Sequence, residues 1–478
     1  MRMTLPNLRV SDTLRGVKEE FSPIDPPNVK IYVCGPTVYD VAHVGHARPA
    51  VFFDVVRRYL ERLGYRVFLV TNVTDVEDKI IGRAKEEGVS FREIADRYER
   101  EYFEAMASLG VMLPTVVPRA TDYIEDMIRV IEGLIEKGHA YPAENGDVYF
   151  DVSSFPDYGK LSKIKVEELV AGARVEPGEG KRSPEDFALW KASAPGEPSW
   201  PSPWGPGRPG WHIECSVMIL KLLGPQIDIH GGGQDLVFPH HENEIAQTEA
   251  YTGISPFVRY WMHVGLVTVG GEKMAKSLKN YFEVKVAVEE FGSNAVRTFL
   301  LSAHYRSPLE FGPDALGSAR ARFESWRSAL MRAEAYLREA GPSHELSEEE
   351  RKLREELLEA RDRFYEAMSD DFDTPKALSA IDSVSAIASR IASESLSPNL
   401  AGEAASTLRD FLQLLGFSVA EGAAPAELNQ LIELLVDVRA ALRRKKMWDL
   451  SDEIRSRLAE LGVKLEDKGD RTVWWVEQ

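Results

Sequence analysis

Cysteine is the residue this chain has least of: Cys34 and Cys215 are the two thiols in 478 residues. A disulfide-built scaffold is thereby excluded, and at most one bridge is available. With no CxxC pair, the spacing of a zinc finger is missing as well. No apolar run approaches the roughly 18 residues that cross a bilayer, and the opening MRMTLPNLRVSDTLRG carries no apolar signal core. A cytoplasmic protein with no membrane partner is expected, in a compartment where thiols bind metal or react more often than they pair. Net positive charge is also lacking. The formal charge of −18 argues against a protein that coats nucleic acid indiscriminately, while leaving room for a local basic patch. No internal repeat of fixed period is present.

What is there reads as globular: 44% hydrophobic and 28% charged residues, over a length that exceeds one core and predicts several domains. In NVKIYVCG, Val29, Ile31 and Val33 alternate as in a strand that Gly35 and Pro36 end. After His46 the apolar spacing becomes Phe52, Val55, Val56, Tyr59, Leu60 and Leu63, a helical face stopping at Gly64. YRVFLVTNV then reads as a buried strand. Strand, loop, helix, strand is a βαβ unit, whose ligand crevice lies at the strand ends. Residues 115–200 read as an insertion, with a helix in DYIEDMIRVIEGLIEKGHA, a charged stretch poor in strands, and a Pro/Gly-rich loop, SAPGEPSWPSPWGPGRPG. Sheet alternation resumes at QIDIHGGG, followed by a helix in ENEIAQTEAYTG. From about 313 onward the pattern is helical, as in an antiparallel bundle. SVAEGAAPAE reads as a linker to a small terminal unit with one amphipathic helix, VRAALRRKKMWDLSDEIRSRLAELG, carrying the basic run Arg443, Arg444, Lys445 and Lys446. The expected fold class is α/β: a Rossmann-like parallel-sheet catalytic domain with an insertion, then an all-α helical bundle and a small C-terminal domain.

His240 and Glu244 stand four residues apart and can face one centre from a helical turn. With Cys34 and Cys215 they make a set of two thiolates, an imidazole and a carboxylate, which suits tetrahedral Zn²⁺. Five of the ten histidines, at 43, 46, 230, 240 and 241, share the two segments that hold Cys34 and the His240–Glu244 pair. Scattered core histidines would not cluster so. The alternative at this point is a satisfied buried histidine with two inert thiols. HENEI at 241–245 falls short of a metalloprotease motif, because Ile245 stands where the second histidine is required.

HVGH, residues 43–46, precedes a helix whose N-terminal N–H groups and dipole favour phosphate. Gly45 permits close approach, and His43 and His46 can donate to phosphate oxygens and stabilise charge that builds during transfer. Downstream, VTVGGEKMAKSLKN follows a glycine turn with Lys273 and Lys276 three apart, able to grip pyrophosphate as point charges. Taken alone, these are equally a histidine-capped turn and a solvated lysine pair. Together, and beside a candidate metal site, they point to nucleotide chemistry.

On these residues the chain resembles the cysteinyl-tRNA synthetases, a family of class I aminoacyl-tRNA synthetases, over nearly its full length. HVGH is similar to the HIGH signature with Val44 for isoleucine, and KMAKS to KMSKS with Ala275 for the first serine. YVCGPTVYD, TNVTDVEDKI, GWHIECSVM, DIHGGGQDLVFPHHENEIAQ and DFDTPKAL resemble further family segments, in the same order. The resemblance implies one zinc ion per chain on Cys34, Cys215, His240 and Glu244, binding the substrate cysteine through its sulfur and rejecting serine without an editing site. It places Thr74 and Trp211 in the cysteine pocket. ATP, with Mg²⁺, is expected on His43, Gly45 and His46, with Gly232 and Asp235 bordering the adenosine. Lys276, supported by Lys273, is expected to meet the leaving pyrophosphate.

The activity so implied is cysteine–tRNA ligation: L-cysteine and ATP give cysteinyl-adenylate, and the acyl group passes to the terminal adenosine of tRNA(Cys). Residues 1–114 and 201–260 become two halves of the catalytic domain, 115–200 the connective insertion, and 261–312 the KMSKS-loop region that contacts the tRNA stem. Residues 313–420 become the tRNA-binding bundle, and 425–478 the anticodon-binding domain, where Arg443, Arg444, Lys445 and Lys446 would touch tRNA; a monomer is expected. Losing one hydroxyl at Ala275 implies a modest change in rate. Two alternatives stand beside this reading. One is a ligase joining the cysteinyl-adenylate to an amino sugar, which the helical and basic C-terminal region disfavours. The other is a noncatalytic tRNA or nucleotide binder, which intact His43, His46, Lys273 and Lys276 disfavour.

Overall fold

The alternating residues of NVKIYV form strand β1, Asn28–Val33, with Val29, Ile31, Tyr32 and Val33 buried. Helix α1, Val44–Arg62, buries Val51, Phe52, Val55, Val56, Tyr59 and Leu60, and Gly64 beyond it takes φ +93°, in the left-handed region that glycine enters without strain. Strand β2, Arg66–Thr71, returns parallel to β1. The βαβ unit is therefore where the apolar spacing predicts it.

The computed structural model describes residues 6–165, 180–419, 426–468 and 471–476. Two units are present, Met1–Pro313 with Ser369–Asp373, and Asp314–Met368 with Thr374–Gln478. In the first, α2, Phe91–Ser108, and α3, Ile124–Glu136, follow β2. The insertion, expected to be poor in strands, instead holds an antiparallel sheet of β3, Ala140–Pro142, β4, Val148–Phe150, β5, Phe187–Ala192, and β6, Gly207–Pro209, paired in that order. Three of these strands are three residues long, too short for alternation to register. Strand β6 lies inside the segment read as a loop. Gly207 admits it there, because a Cβ would stand 2.2 Å from the Trp190 indole nitrogen. Residues 166–179, part of the stretch read as charged and strand-poor, lie outside the described residues.

Helix α4, Trp211–Leu222, leads to β7, Ile227–Gly233, then α5, Glu242–Thr252, and β8, Val258–Val264. The sheet order is β8-β7-β1-β2, parallel throughout. With β1 between β2 and β7, the crevice opens at the carboxyl ends of these central strands. Tyr32, Cys215, Met218, Ile219, Ile245 and Trp261 share one apolar cluster, which seats α4 and α5 against the sheet. A second small sheet joins β9, Val267–Val269, β10, Glu272–Lys273, and β11, Leu309–Glu310.

The second unit is helical, as the pattern predicts: α6, Pro313–Glu339, α7, Glu348–Ser369, α8, Thr374–Ser393, and α9, Pro398–Leu414. Much of the linker read in SVAEGAAPAE lies outside the described residues. The single amphipathic helix expected over VRAALRRKKMWDLSDEIRSRLAELG is two, the end of α10, Ala426–Arg444, and α11, Trp448–Glu460. Lys446 between them takes φ +60°. Strands β12, Val463–Lys468, and β13, Arg471–Val476, close the unit as an antiparallel pair. Among the described residues no helix is long and apolar enough to cross a membrane.

Candidate active site

Cys34 directly follows β1, Cys215 lies on α4, His240 precedes α5, and Glu244 sits in its first turn. Their ligand atoms fall within 4.8 Å of one another, and a second set, Cys34, His230, His241 and Glu244, overlaps the first. Two sulfurs bound at about 2.3 Å to one tetrahedral zinc stand about 3.8 Å apart; Cys34 Sγ and Cys215 Sγ are 3.7 Å apart. Glu244 divides its oxygens, Oε1 lying 3.0 Å from His240 Nε2 and 3.6 Å from Cys34 Sγ, while Oε2 lies 2.7 Å from His230 Nε2. His241 Nε2 lies 3.2 Å from Cys34 Sγ and its Nδ1 2.8 Å from His263 Nε2, while His263 Nδ1 anchors on the Thr13 hydroxyl. His230 thus aims the carboxylate and His241 backs Cys34, so the set with two sulfurs is the one whose donors converge with chemistry suited to zinc.

The charges agree. Burial and the neighbouring Cys215 push the Cys34 thiol up, while the hydrogen bond from Cys34 lowers Cys215 to about 6 against the cost of burial. Burial works against a charged His240, yet Glu244 and Cys215 raise it to about 10. Despite the burial that opposes it, His230 and His240 hold the Glu244 carboxyl well below the usual range. The His240 imidazolium is the positive partner these buried anions require, and a dication would take its place by displacing that proton and freeing Nε2 to ligate.

Two aromatic neighbours complete the arrangement. The Trp211 ring stacks on His240 with centroids 4.2 Å apart. His212 Nδ1 lies 3.0 Å from His240 Nδ1, leaving His240 Nε2 for the centre. His212 escaped the sequence reading, although GWHIECS places it only three residues before Cys215.

A cleft of about 500 Å³ has Cys34 and Trp211 in its wall, together with His43, Gly45, His46, Asp235, Lys273 and Lys276. His43 is the N-cap of α1, and its ring stacks on that of His46 at 3.6 Å. A Cβ on Gly45 would stand 2.9 Å from the His43 ring, so the glycine is what lets the imidazole fold back over the helix end. Burial, then Lys276 and Lys273, lower His43 to about 4; burial and His43 hold His46 well below its ordinary value. Both imidazoles are neutral near pH 7 and offer N–H groups without charge.

The lysine loop is tied to α1 at both ends. Val44 N–H donates to the Phe282 carbonyl at 2.9 Å and Val284 N–H to that of Ala42 at 3.0 Å. Buried Arg48 donates to the carbonyls of Gly265 at 2.7 Å and Leu266 at 3.1 Å. Inside the loop, Ala275 N–H donates to Asn280 Oδ1 and Asn280 Nδ2 donates to the Lys273 carbonyl. Lys273 Nζ pairs with Asp235 Oδ2 at 2.6 Å.

Residues 20–321 match the family model described as tRNA synthetases class I (C) catalytic domain, and residues 363–420 match the DALR domain. A cysteine–tRNA ligase of Thermococcus gammatolerans is 49% identical over 471 residues, covering 98% of both chains. The chain belongs to the cysteinyl-tRNA synthetase family. Another family member, a cysteine–tRNA ligase of Aeropyrum pernix, is 50% identical over 98% of this chain and 99% of its own. The fold is that of class I synthetases: the Mycobacterium tuberculosis methionyl-tRNA synthetase in complex with methionyl-adenylate aligns with TM-score 0.59 at 15% identity, over 81% of this chain and 89% of that one.

Two residues that the synthetase resemblance assigns to ligands lie off the cleft wall. Thr74 is buried, its hydroxyl donating to Glu214 Oε2 at 2.9 Å, while Thr37 and Tyr39 line the cleft. Gly232 is packed beneath Leu236 and His241, which a Cβ would meet at 2.8 and 3.2 Å; Gly233 lines the wall. The sequence signal for Thr37 and Tyr39 is their place in GPTVYD, which directly follows Cys34 on the way to His43. In the second unit Arg443 pairs with Asp467 at 2.7 Å, and Arg444, Lys445 and Lys446 are exposed.

Proposed function

We propose that this synthetase activates L-cysteine with Mg²⁺-bound ATP and transfers it from cysteinyl-adenylate to tRNA(Cys), with one zinc on Cys34, Cys215, His240 and Glu244 selecting the substrate sulfur. The observation that carries the reading is the convergence of Cys215, His240 and Glu244 on Cys34, which stands in the wall of the cleft that also holds His43, His46, Lys273 and Lys276. When bound, zinc supplies a centre on which sulfur is a far better ligand than a hydroxyl oxygen.

The chain's own side chains supply the rest. Trp211 covers His240 and narrows the amino-acid end of the cleft. Neutral His43 and His46 donate to phosphate oxygens at the start of α1, where the helix dipole adds to them. Lys276 meets charge that grows on the leaving pyrophosphate, with Lys273 in support. Attack of the cysteine carboxylate on the α-phosphate needs no side-chain nucleophile, so positioning and charge stabilisation provide the acceleration. Asp235 borders the adenosine, and Arg443 to Lys446 contact tRNA from residues 425–478, with 313–420 as the supporting bundle. The chain is read as a cytoplasmic monomer.

The test is Cys215→Ser, with zinc measured by elemental analysis and activation by cysteine-dependent ATP–pyrophosphate exchange. Zinc is expected to fall from one per chain to near none, and exchange to disappear. Full metal retention contradicts the ligand assignment. Passage of labelled cysteine to an amino sugar and never to tRNA contradicts the acceptor.

A further inference from the structure

Lys276 belongs to the lysine loop, yet its side chain is only 11% exposed and its ammonium is paired with Asp40 Oδ2 at 3.1 Å. The rings of Tyr39 and Tyr281 stand 5.2 and 5.9 Å from the same nitrogen, within cation–π range. Among the described residues no well-aligned hydrogen bond reaches Nζ. Its protons therefore remain available to acceptors better placed than Asp40. Asp40 itself lies three residues before His43, on the segment that leads into α1.

We propose that Asp40 is a latch for the lysine loop: in the nucleotide-free protein it holds Lys276 at the phosphate end of the cleft, and the incoming triphosphate takes the lysine from it. This rests on the reading that Lys276 meets pyrophosphate. One ammonium cannot neutralise the Asp40 carboxylate and the phosphate oxygens at the same time, and once the lysine moves, Asp40 remains as an anion beside an anionic ligand. A contact present only in the free state lowers ligand affinity, so removing it strengthens binding. Asp40 is on this view a positioning residue, acting through Lys276.

Limited trypsin digestion of the full chain reads the latch directly, with fragments assigned by mass. Without substrates, cleavage after Lys276 should be about fivefold faster in Asp40→Asn, because cleavage follows the open population. Asp40→Glu, which keeps the carboxylate, should resemble the parent, and saturating ATP should protect all three equally. In cysteine-dependent pyrophosphate exchange, Asp40→Asn should lower the KM for ATP about threefold at unchanged kcat; a merely structural role would depress kcat. Equal cleavage of parent and Asp40→Asn, or an unchanged or raised KM, overturns the latch. Asp40→Ser reports the same loss should the amide fail to fold. Lys276→Ala separates the two ideas: adenylate formation at the parental rate removes the pyrophosphate role, whereas the protease difference in Asp40→Asn stands or falls alone.

Discussion

Arg439 in the C-terminal segment and Glu244 in the catalytic unit are both charged side chains with no exposed surface, and their surroundings differ in kind. Arg439 sends its two terminal nitrogens to the two oxygens of Asp467 at 2.7 and 2.8 Å, with Thr472 beside them. A cation has met its anion, and the pair ties α10 to the hairpin of β12 and β13. Around Glu244 gather two sulfurs and three imidazoles, those of His230, His240 and His241. A buried charge with its opposite built in serves the fold. Donors whose built-in cation is only the exchangeable proton of His240 can serve something that arrives.

The comparison breaks most visibly at Glu244. Glu244→Gln is expected to strip the metal and reduce cysteine activation by about 10³-fold or more, since a ligand and a charge are lost together, while the thermal midpoint of chelator-treated protein moves little. A metal-replete, active Glu244→Gln would put the carboxylate on the structural side with Asp467.

The counterpart is Asp467→Asn, which leaves Arg439 buried beside an amide. Stability of the C-terminal element should fall by about 2–3 kcal/mol, read by denaturant unfolding, with pyrophosphate exchange unchanged. The sign with pH follows from Arg439, which holds the Asp467 carboxyl well below its ordinary value of 3.8. Its contribution is complete above the unfolded value of about 3.9 and disappears as pH falls through the depressed folded value. Parent and variant should therefore differ most near neutrality and converge in strong acid. A constant difference across that range refutes the linkage.

The smallest effect is expected where, among the described residues, charge is neither paired nor convergent. Arg444→Ala with Lys445→Ala should weaken tRNA(Cys) binding severalfold and flatten its salt dependence by about two phosphate contacts' worth, leaving pyrophosphate exchange intact. Identical affinities at low salt would make this run an ordinary solvated turn.

Much of the catalytic unit was legible because its pattern is sustained: α1 repeats its apolar face from Phe52 to Leu60, and the HVGH and KMAKS segments keep their lysines and histidines in recognisable spacing. The donor set was legible because Cys34 and Cys215 have no rivals. The insertion sheet was not, because three-residue strands carry less periodicity than noise, and Gly207 is extended for a reason that lies in Trp190. Asp40 was equally hidden. An aspartate before a helix reads as a turn residue, and only the fold brings it within 3.1 Å of Lys276.

Arg48 of α1 and the Ala42–Val44 segment that enters it grip the two ends of the lysine loop. A ribbon clamped at both ends can bow but cannot swing. Whatever excursion Lys276 makes must be accommodated by bending between Leu266 and Phe282, while the histidines at the head of α1 stay in register with the clamps. Travel of the cation is thus bounded by slack in the ribbon, and the helix acts as the common frame against which it moves.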